Sequence, residues 1–343
     1  MYLWNLFNNF VAQNRLNMYR YFIFILITAA AFTACGQTNK SSKTGEPKVN
    51  IPTFNADSSY IYTAEQVAFG PRVPNTQPHV DCGNYLVSKL QSFGATVQEQ
   101  NMTLKTYDGI SLNAKNIIGS FQPENRKRIL LFAHWDTRPF SDQDPNPENH
   151  RKPIDGANDG AGACAVLLEL ARQFGLQQPT VGIDIIFFDA EDWGVPEFDQ
   201  ENRNSNNSGY CLGSDYWARN AKTYNAQYGI LLDMVSAPGA RFYKEYFSKR
   251  SAPHIIRKVW EAAQVCGYGQ FFIDADGIPV EDDHVHVMQH LNIPCINIIH
   301  HDPNTEHNFG AYWHTQNDNM DNISKETMKA VGQTLLHVIY NEK

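Results

Sequence analysis

Residues 183–188 (Ile-Asp-Ile-Ile-Phe-Phe) form a nearly unbroken run of β-branched and aromatic side chains that stops at Asp189-Ala190-Glu191-Asp192. A run this short predicts a buried central strand rather than a helix. The same pattern recurs at 128–133 (RILLFA), 228–232 and 295–299, and each run gives way to polar residues: His134-Trp135-Asp136, Asp233, and His300-His301. Stretches 97–106 and 110–121 flank Asp108-Gly109 and predict a hairpin. A short strand is expected at 270–273. Apolar positions at helical spacing cover 63–69, 80–93, 163–174, 253–266, 285–291 and 325–340. Two polar stretches, 138–153 with four prolines and the Asn-rich 195–208, read as loops. Strands alternating with helices predict an α/β fold: a single domain with one mixed, mostly parallel sheet covered by helices on both faces.

The remaining composition narrows the class. With 343 residues and 42% hydrophobic content, the chain can bury a large core. Its formal net charge of −8 argues against nucleic acid or an anionic membrane surface as a partner. Six cysteines show no CxxC pair, so neither a cysteine–zinc site nor a dense disulfide framework is indicated. Residues 1–17 carry no targeting pattern, whereas Met18 opens one: Arg20, an apolar core over 22–31, then Phe32-Thr33-Ala34-Cys35. That segment reads as an export signal, too short to span a membrane, and its end resembles a lipoprotein signal box. Residues 1–35 are thus an upstream segment and signal peptide, with Cys35 the lipidated first residue of the mature protein. An ordinary signal peptide with a chance cysteine is the alternative. The protein is expected in the cell envelope, on the periplasmic side of a bacterial membrane and held by its lipid anchor only. Residues 36–50, rich in Ser, Thr, Lys and Gly, form a flexible tether, and 51–343 the catalytic domain.

The chemistry lies where the strands stop. His134, Asp136, Glu191, Asp192 and Asp233 follow strands, Asp159 sits in the turn Gly156-Ala157-Asn158-Asp159-Gly160-Ala161-Gly162, and His314 follows the last strand. Ligands of open α/β sheets bind beyond the strand ends. A set of histidine and carboxylates there suits a borderline-soft cation such as zinc. Neighbours Glu191 and Asp192 point different ways, so one can face a metal and the other a substrate. The histidines at 284, 286, 290, 300, 301 and 307 mix loop with helix and read as structural rather than as a second metal cluster.

Taken in order, His-x-Asp, Asn-Asp-Gly, Glu-Asp, Leu-Leu-Asp and His-Thr resemble the zinc aminopeptidase superfamily. Within it, Gly-Ala-x-Asp, Phe-Phe-Asp-x-Glu, Leu-Leu-Asp, Glu-Asp-Asp-His and Trp-His-Thr resemble the animal-type glutaminyl cyclases and their bacterial relatives, over residues 60–341. The resemblance implies conversion of N-terminal glutamine on peptides or proteins to pyroglutamate, with release of ammonia. It implies one Zn2+ per chain on Asp159, Asp192 and His314, and Glu191 as acid/base in a hydrogen-bonded network with Asp233 and Asp282. It also implies a substrate pocket walled by Trp193, Phe309 and Trp313, with Val280 and Glu281 along its rim. Asp192 stands where the animal enzymes carry glutamate, Asn297 where they carry histidine. Cys164 matches one half of a disulfide of the animal enzymes and Ala133 the position of its partner, so that bridge is expected to be absent. Two alternatives remain. A two-zinc aminopeptidase would add His134 and Asp233 as ligands with Asp159 bridging; a binding module of the same fold would lack catalysis. The aromatic before His314, the Glu-Asp-Asp-His run and Phe309 favour the cyclase.

Overall fold

The computed structural model describes residues 49–203 and 208–343; the expected signal, Cys35 and most of the tether lie outside the described residues. The strands are β1 (Thr96–Lys105), β2 (Ser111–Phe121), β3 (Arg128–His134), β4 (Gly182–Phe188), β5 (Tyr228–Asp233), β6 (Phe242–Lys244), β7 (Phe272–Asp276) and β8 (Cys295–Ile299). Six of them form the main sheet in the order β1-β2-β4-β3-β5-β8, while β6 and β7 pair separately. The β1–β2 hairpin is antiparallel to its neighbour, and β4, β3, β5 and β8 run parallel. Parallel register sets His134 beside Phe188 and Asp233 beside Ile299. The polar ends of the apolar runs therefore share one edge of the sheet.

Alternation along each strand feeds two cores. Ile129, Leu131 and Ala133 of β3, with Ile183, Ile185 and Phe187 of β4, enter the larger one. There they meet α1 (Ala56–Val67), α2 (Gln77–Ser92), α3 (Ala163–Leu176), α6 (Pro253–Val265) and α8 (Lys325–Tyr340). Leu130, Phe132, Ile186 and Phe188 point the other way, against Trp217 and Ala218 of α4 (Leu212–Asn220) and Val287 of α7 (Asp283–Leu291). Helices thus cover both faces of a mixed sheet, as the residue pattern predicts. A short helix, α5 (Tyr246–Ser251), links β6 to α6.

Several boundaries differ from the periodicity, each for a local reason. The first helix begins at Ala56, not 63, because Asn55 caps it by accepting from the Asp57 and Ser58 N–H groups. Asp282 caps α7 and moves its start to Asp283. Helices α4 and α5 carry too few apolar residues to register as periodic. Packing stabilises α4: Trp217 lies 5.5 Å from Phe188, ring centre to ring centre. The five described cysteines are free thiols.

One charged residue sits inside the central strand. Asp184 is buried in β4, where Arg128 grips it through Nε and Nη2 at 2.6 and 2.5 Å. Tyr224 and Ser120 hydroxyls donate to the same carboxylate at 2.8 and 2.6 Å. Removing the cation would strand a desolvated charge. Arg128→Met should therefore destabilise the fold by about 3–5 kcal/mol, seen as a lower urea midpoint with an unchanged slope.

Candidate active site

Two buried carboxylates shape the loops that carry the chemistry. After β4 the chain turns at Ala190 (φ 53°), and the N–H groups of Glu191 and Asp192 donate to the two oxygens of Asp136, at 3.0 and 3.2 Å. After β3 the Gly-rich turn does the same: Asn158 and Asp159 donate to the two oxygens of Asp318, at 2.7 and 3.0 Å. Asn158 Oδ1 in turn accepts from Ser236 N and Oγ at 2.8 and 2.7 Å, tying the turn to the loop after β5. Close approach explains the glycines: a Cβ on Gly162 would fall 1.8 Å from Ser236 Oγ, and Gly160 adopts φ 103°.

These loops bring the strand-end residues together. His314 Nε2 lies 3.3 Å from Asp192 Oδ1 and 3.6 Å from Asp159 Oδ2. On the other side of Asp159, His134 Nε2 lies 3.0 Å from Asp159 Oδ1 and 3.5 Å from Asp233 Oδ1. Asp159, Asp192 and His314 form one set of converging donors, and His134, Asp159 and Asp233 a second that shares Asp159. Asp192 Oδ2, Asp233 Oδ1 and His314 Nδ1 are buried and make no hydrogen bond. Buried donors of this kind, one imidazole with two carboxylates, fit a divalent metal. Behind them Arg138 holds Asp142 at 2.7 and 2.8 Å, and Asp142 faces His314 Nδ1 at 3.6 Å.

The electrostatics follow from burial. Glu191 is raised well above the ordinary carboxyl range by desolvation; His134 opposes the rise, and Asp282, Asp192 and Asp283 reinforce it. Burial pushes Asp233 up to about 7, against the pull of the nearby His134. Burial also acts on Asp159, yet His134 and His314 hold that carboxylate below its ordinary value. The site thus contains one firmly ionised carboxylate and others that hold protons readily.

Glu191, Asp233, Asp282, Phe309 and Trp313 line a cleft of about 240 Å³ together with the metal-type set, and Glu281 stands exposed at its rim. The Phe309 and Trp313 rings are 4.9 Å apart, and Trp313 stacks on His314 at 3.9 Å. Asn297, at the position where the animal enzymes carry histidine, donates to Asp282 Oδ2 at 2.7 Å. Two expectations need correction. Trp193 does not line the cleft; it packs with Val73, Met102, Leu104 and Leu112, because the chain turns away once Asp192 has faced the cluster. Its place is taken by Tyr210. Nor is Glu191 joined to Asp233: Glu191 Oε1 accepts from Cys211 Sγ at 3.1 Å, while Asp233 faces His134. Tyr210, Cys211 and Asp318 were invisible to sequence reasoning, since no local spacing links them to the strand ends.

The model of peptidase family M28 matches residues 116–339. The chain belongs to that family. Among solved structures, a Zn-dependent exopeptidase from Parabacteroides distasonis is 56% identical (TM-score 0.83), covering 85% of this chain and 100% of that one. A glutaminyl cyclase of Bacteroides thetaiotaomicron, solved with N-acetylhistamine, is 54% identical (TM-score 0.83) over 86% of this chain and 100% of that one. Aminopeptidase YwaD of Bacillus subtilis is 26% identical over 86% of this chain and 59% of its own length. The chain spans about three fifths of the length of the curated relatives it matches.

Asp318 does not itself line the cleft, yet it sets the backbone under Asp159. Asp318→Ala should weaken metal binding about 10–100-fold with the fold retained, measured by competition against a chromophoric chelator.

Proposed function

We propose that this M28 chain is a zinc-dependent glutaminyl cyclase, closing N-terminal glutamine of peptides or proteins to pyroglutamate and releasing ammonia. The observation that carries this reading is the joint placement of Glu191 and Asp282 with an aromatic wall over one metal-type donor set. The high identity to a solved glutaminyl cyclase supports it. Asp159, Asp192 and His314 would hold one zinc, which supplies a Lewis acid toward the γ-carbonyl oxygen. The substrate provides its own nucleophile: its α-amine forms the bond to the side-chain carbonyl carbon, Cδ, and the bond from that carbon to the side-chain nitrogen breaks. Glu191 takes the proton lost by the amine and passes it to the departing ammonia, a role suited to a carboxyl raised by burial. Phe309 and Trp313 hold the flat amide and hold water away, so the folded side chain reacts with little loss of freedom. Asp282, kept in place by Asn297, accepts from the amide N–H groups.

The second donor set gives the competing reading specific support. His134, Asp159 and Asp233 could hold a second zinc, as in an aminopeptidase. Mass spectrometry of a Gln-initiated peptide separates the two: loss of ammonia with the chain intact supports the cyclase, and free glutamine overturns it. Glu191→Gln should keep its zinc and lose turnover by about 10²-fold or more; near-normal turnover would remove Glu191 from the proton path.

The lipid anchor is part of the same proposal and rests on Phe32-Thr33-Ala34-Cys35 after an apolar run. Cys35→Ser should move the protein from the membrane to the soluble fraction of the expressing bacterium, and an unchanged membrane pool would refute the anchor.

A further inference from the structure

Outside the cleft, α4 and α7 bring three metal-type donors to one point. His286 and His290 stand four residues apart on α7 and so share a helix face, the spacing by which a helix presents two imidazoles to one ion. Asp215, in the first turn of α4, faces both: its Oδ1 lies 3.3 Å from His286 Nδ1 and 2.9 Å from His290 Nε2. Ligands on a tetrahedral zinc, at about 2.0–2.1 Å from the metal, stand about 3.3 Å from one another. The Asp215 oxygen from α4 and the His286 nitrogen from α7 therefore already sit at ligand spacing, His290 Nε2 lies at hydrogen-bond distance from the same oxygen, and the three donor atoms all lie within 4.8 Å of one another.

Further details favour an ion over a plain hydrogen-bonded cluster. His286 Nδ1 is buried and makes no hydrogen bond. Burial holds His286 below its ordinary pKa, against the charge of Asp215, so a neutral ring is available as a ligand. The other carboxylate oxygen of Asp215 is fixed by Arg219 Nε at 2.7 Å, the outer support that ligating carboxylates usually have. The three side chains are 18–29% exposed, which leaves a path for the ion and room for water as a further ligand.

We propose that Asp215, His286 and His290 form a second, non-catalytic metal site for a divalent transition ion such as zinc, clipping α4 to α7. Imidazole with a single carboxylate selects such ions over magnesium or calcium. Cys211, which donates to Glu191, immediately precedes α4, and Asp282 immediately precedes α7. One ion would bind together the two helices whose starts flank the proposed acid/base.

The metal and melting measurements do not depend on the cyclase reading, because they compare chains; only the turnover measurement rests on it. Wild type, His290→Ala and Asp215→Asn are dialysed as full chains against the same micromolar free zinc and analysed for metal. Wild type should hold about one zinc per chain more than the other two, with turnover on Gln-peptides the same in all three. Zinc should raise the melting temperature of wild type more than that of His290→Ala, and magnesium should not discriminate between them. Equal zinc in wild type, His290→Ala and Asp215→Asn would overturn the site, and so would a loss of zinc matched by an equal loss of turnover. A total of two zincs in wild type would then not imply a two-metal active centre.

Discussion

Buried negative charge is the constraint around which this structure is arranged. Asp136, Asp159, Asp192, Asp233, Asp282 and Asp318 all lie buried near one edge of the sheet. An isolated buried carboxylate is disfavoured by several kcal/mol unless it is paired, hydrogen-bonded or protonated. The chain uses each remedy. Asp136 and Asp318 accept backbone N–H groups on both oxygens. Asp142 is gripped by Arg138, and Asp189 accepts from His79 and from the Lys115 N–H. Glu191 and Asp233 are left with raised proton affinities.

This division separates holding from reacting. The carboxylates that accept from successive N–H groups have both oxygens engaged, and that two-oxygen grip fixes the loops. Others, Asp192 and Asp233 among them, keep lone pairs aimed into the cleft. A site that must bind a cation and shuttle a proton needs both kinds side by side. The parallel strands supply the frame, because their register brings His134, Asp233 and the loop after Phe188 to one level.

The membership of M28 sets the ligand inventory but not the reaction. Both donor sets share Asp159, so counting ligands leaves one-metal and two-metal chemistry open. What distinguishes this cleft is its wall: Phe309 and Trp313 on one side, Tyr210 on another, and Asp282 held by Asn297. In the proposed reaction a small flat amide would lie against that wall and meet Glu191.

The apolar runs at 128–133, 183–188, 228–232 and 295–299 were sufficient to place four buried parallel strands, because two-sided burial demands unbroken apolar sequence. The motifs at their ends marked Asp159, Glu191, Asp192, Asp233 and His314, since strand ends in such sheets converge whatever the connections between them. Only the tertiary structure decided which of two adjacent residues faces inward, and so moved Trp193 to a satellite core and Tyr210 into the cleft. Helix α4 was missed for the same reason: with Trp217 and Ala218 as its main buried apolar side chains, its stability comes from neighbours rather than from its own periodicity. The meeting of Asp215 with His286 and His290 belongs to this second kind. The histidine pair shows in the sequence as a four-residue spacing, but its carboxylate comes from a distant helix, and no local pattern records which helices pack together.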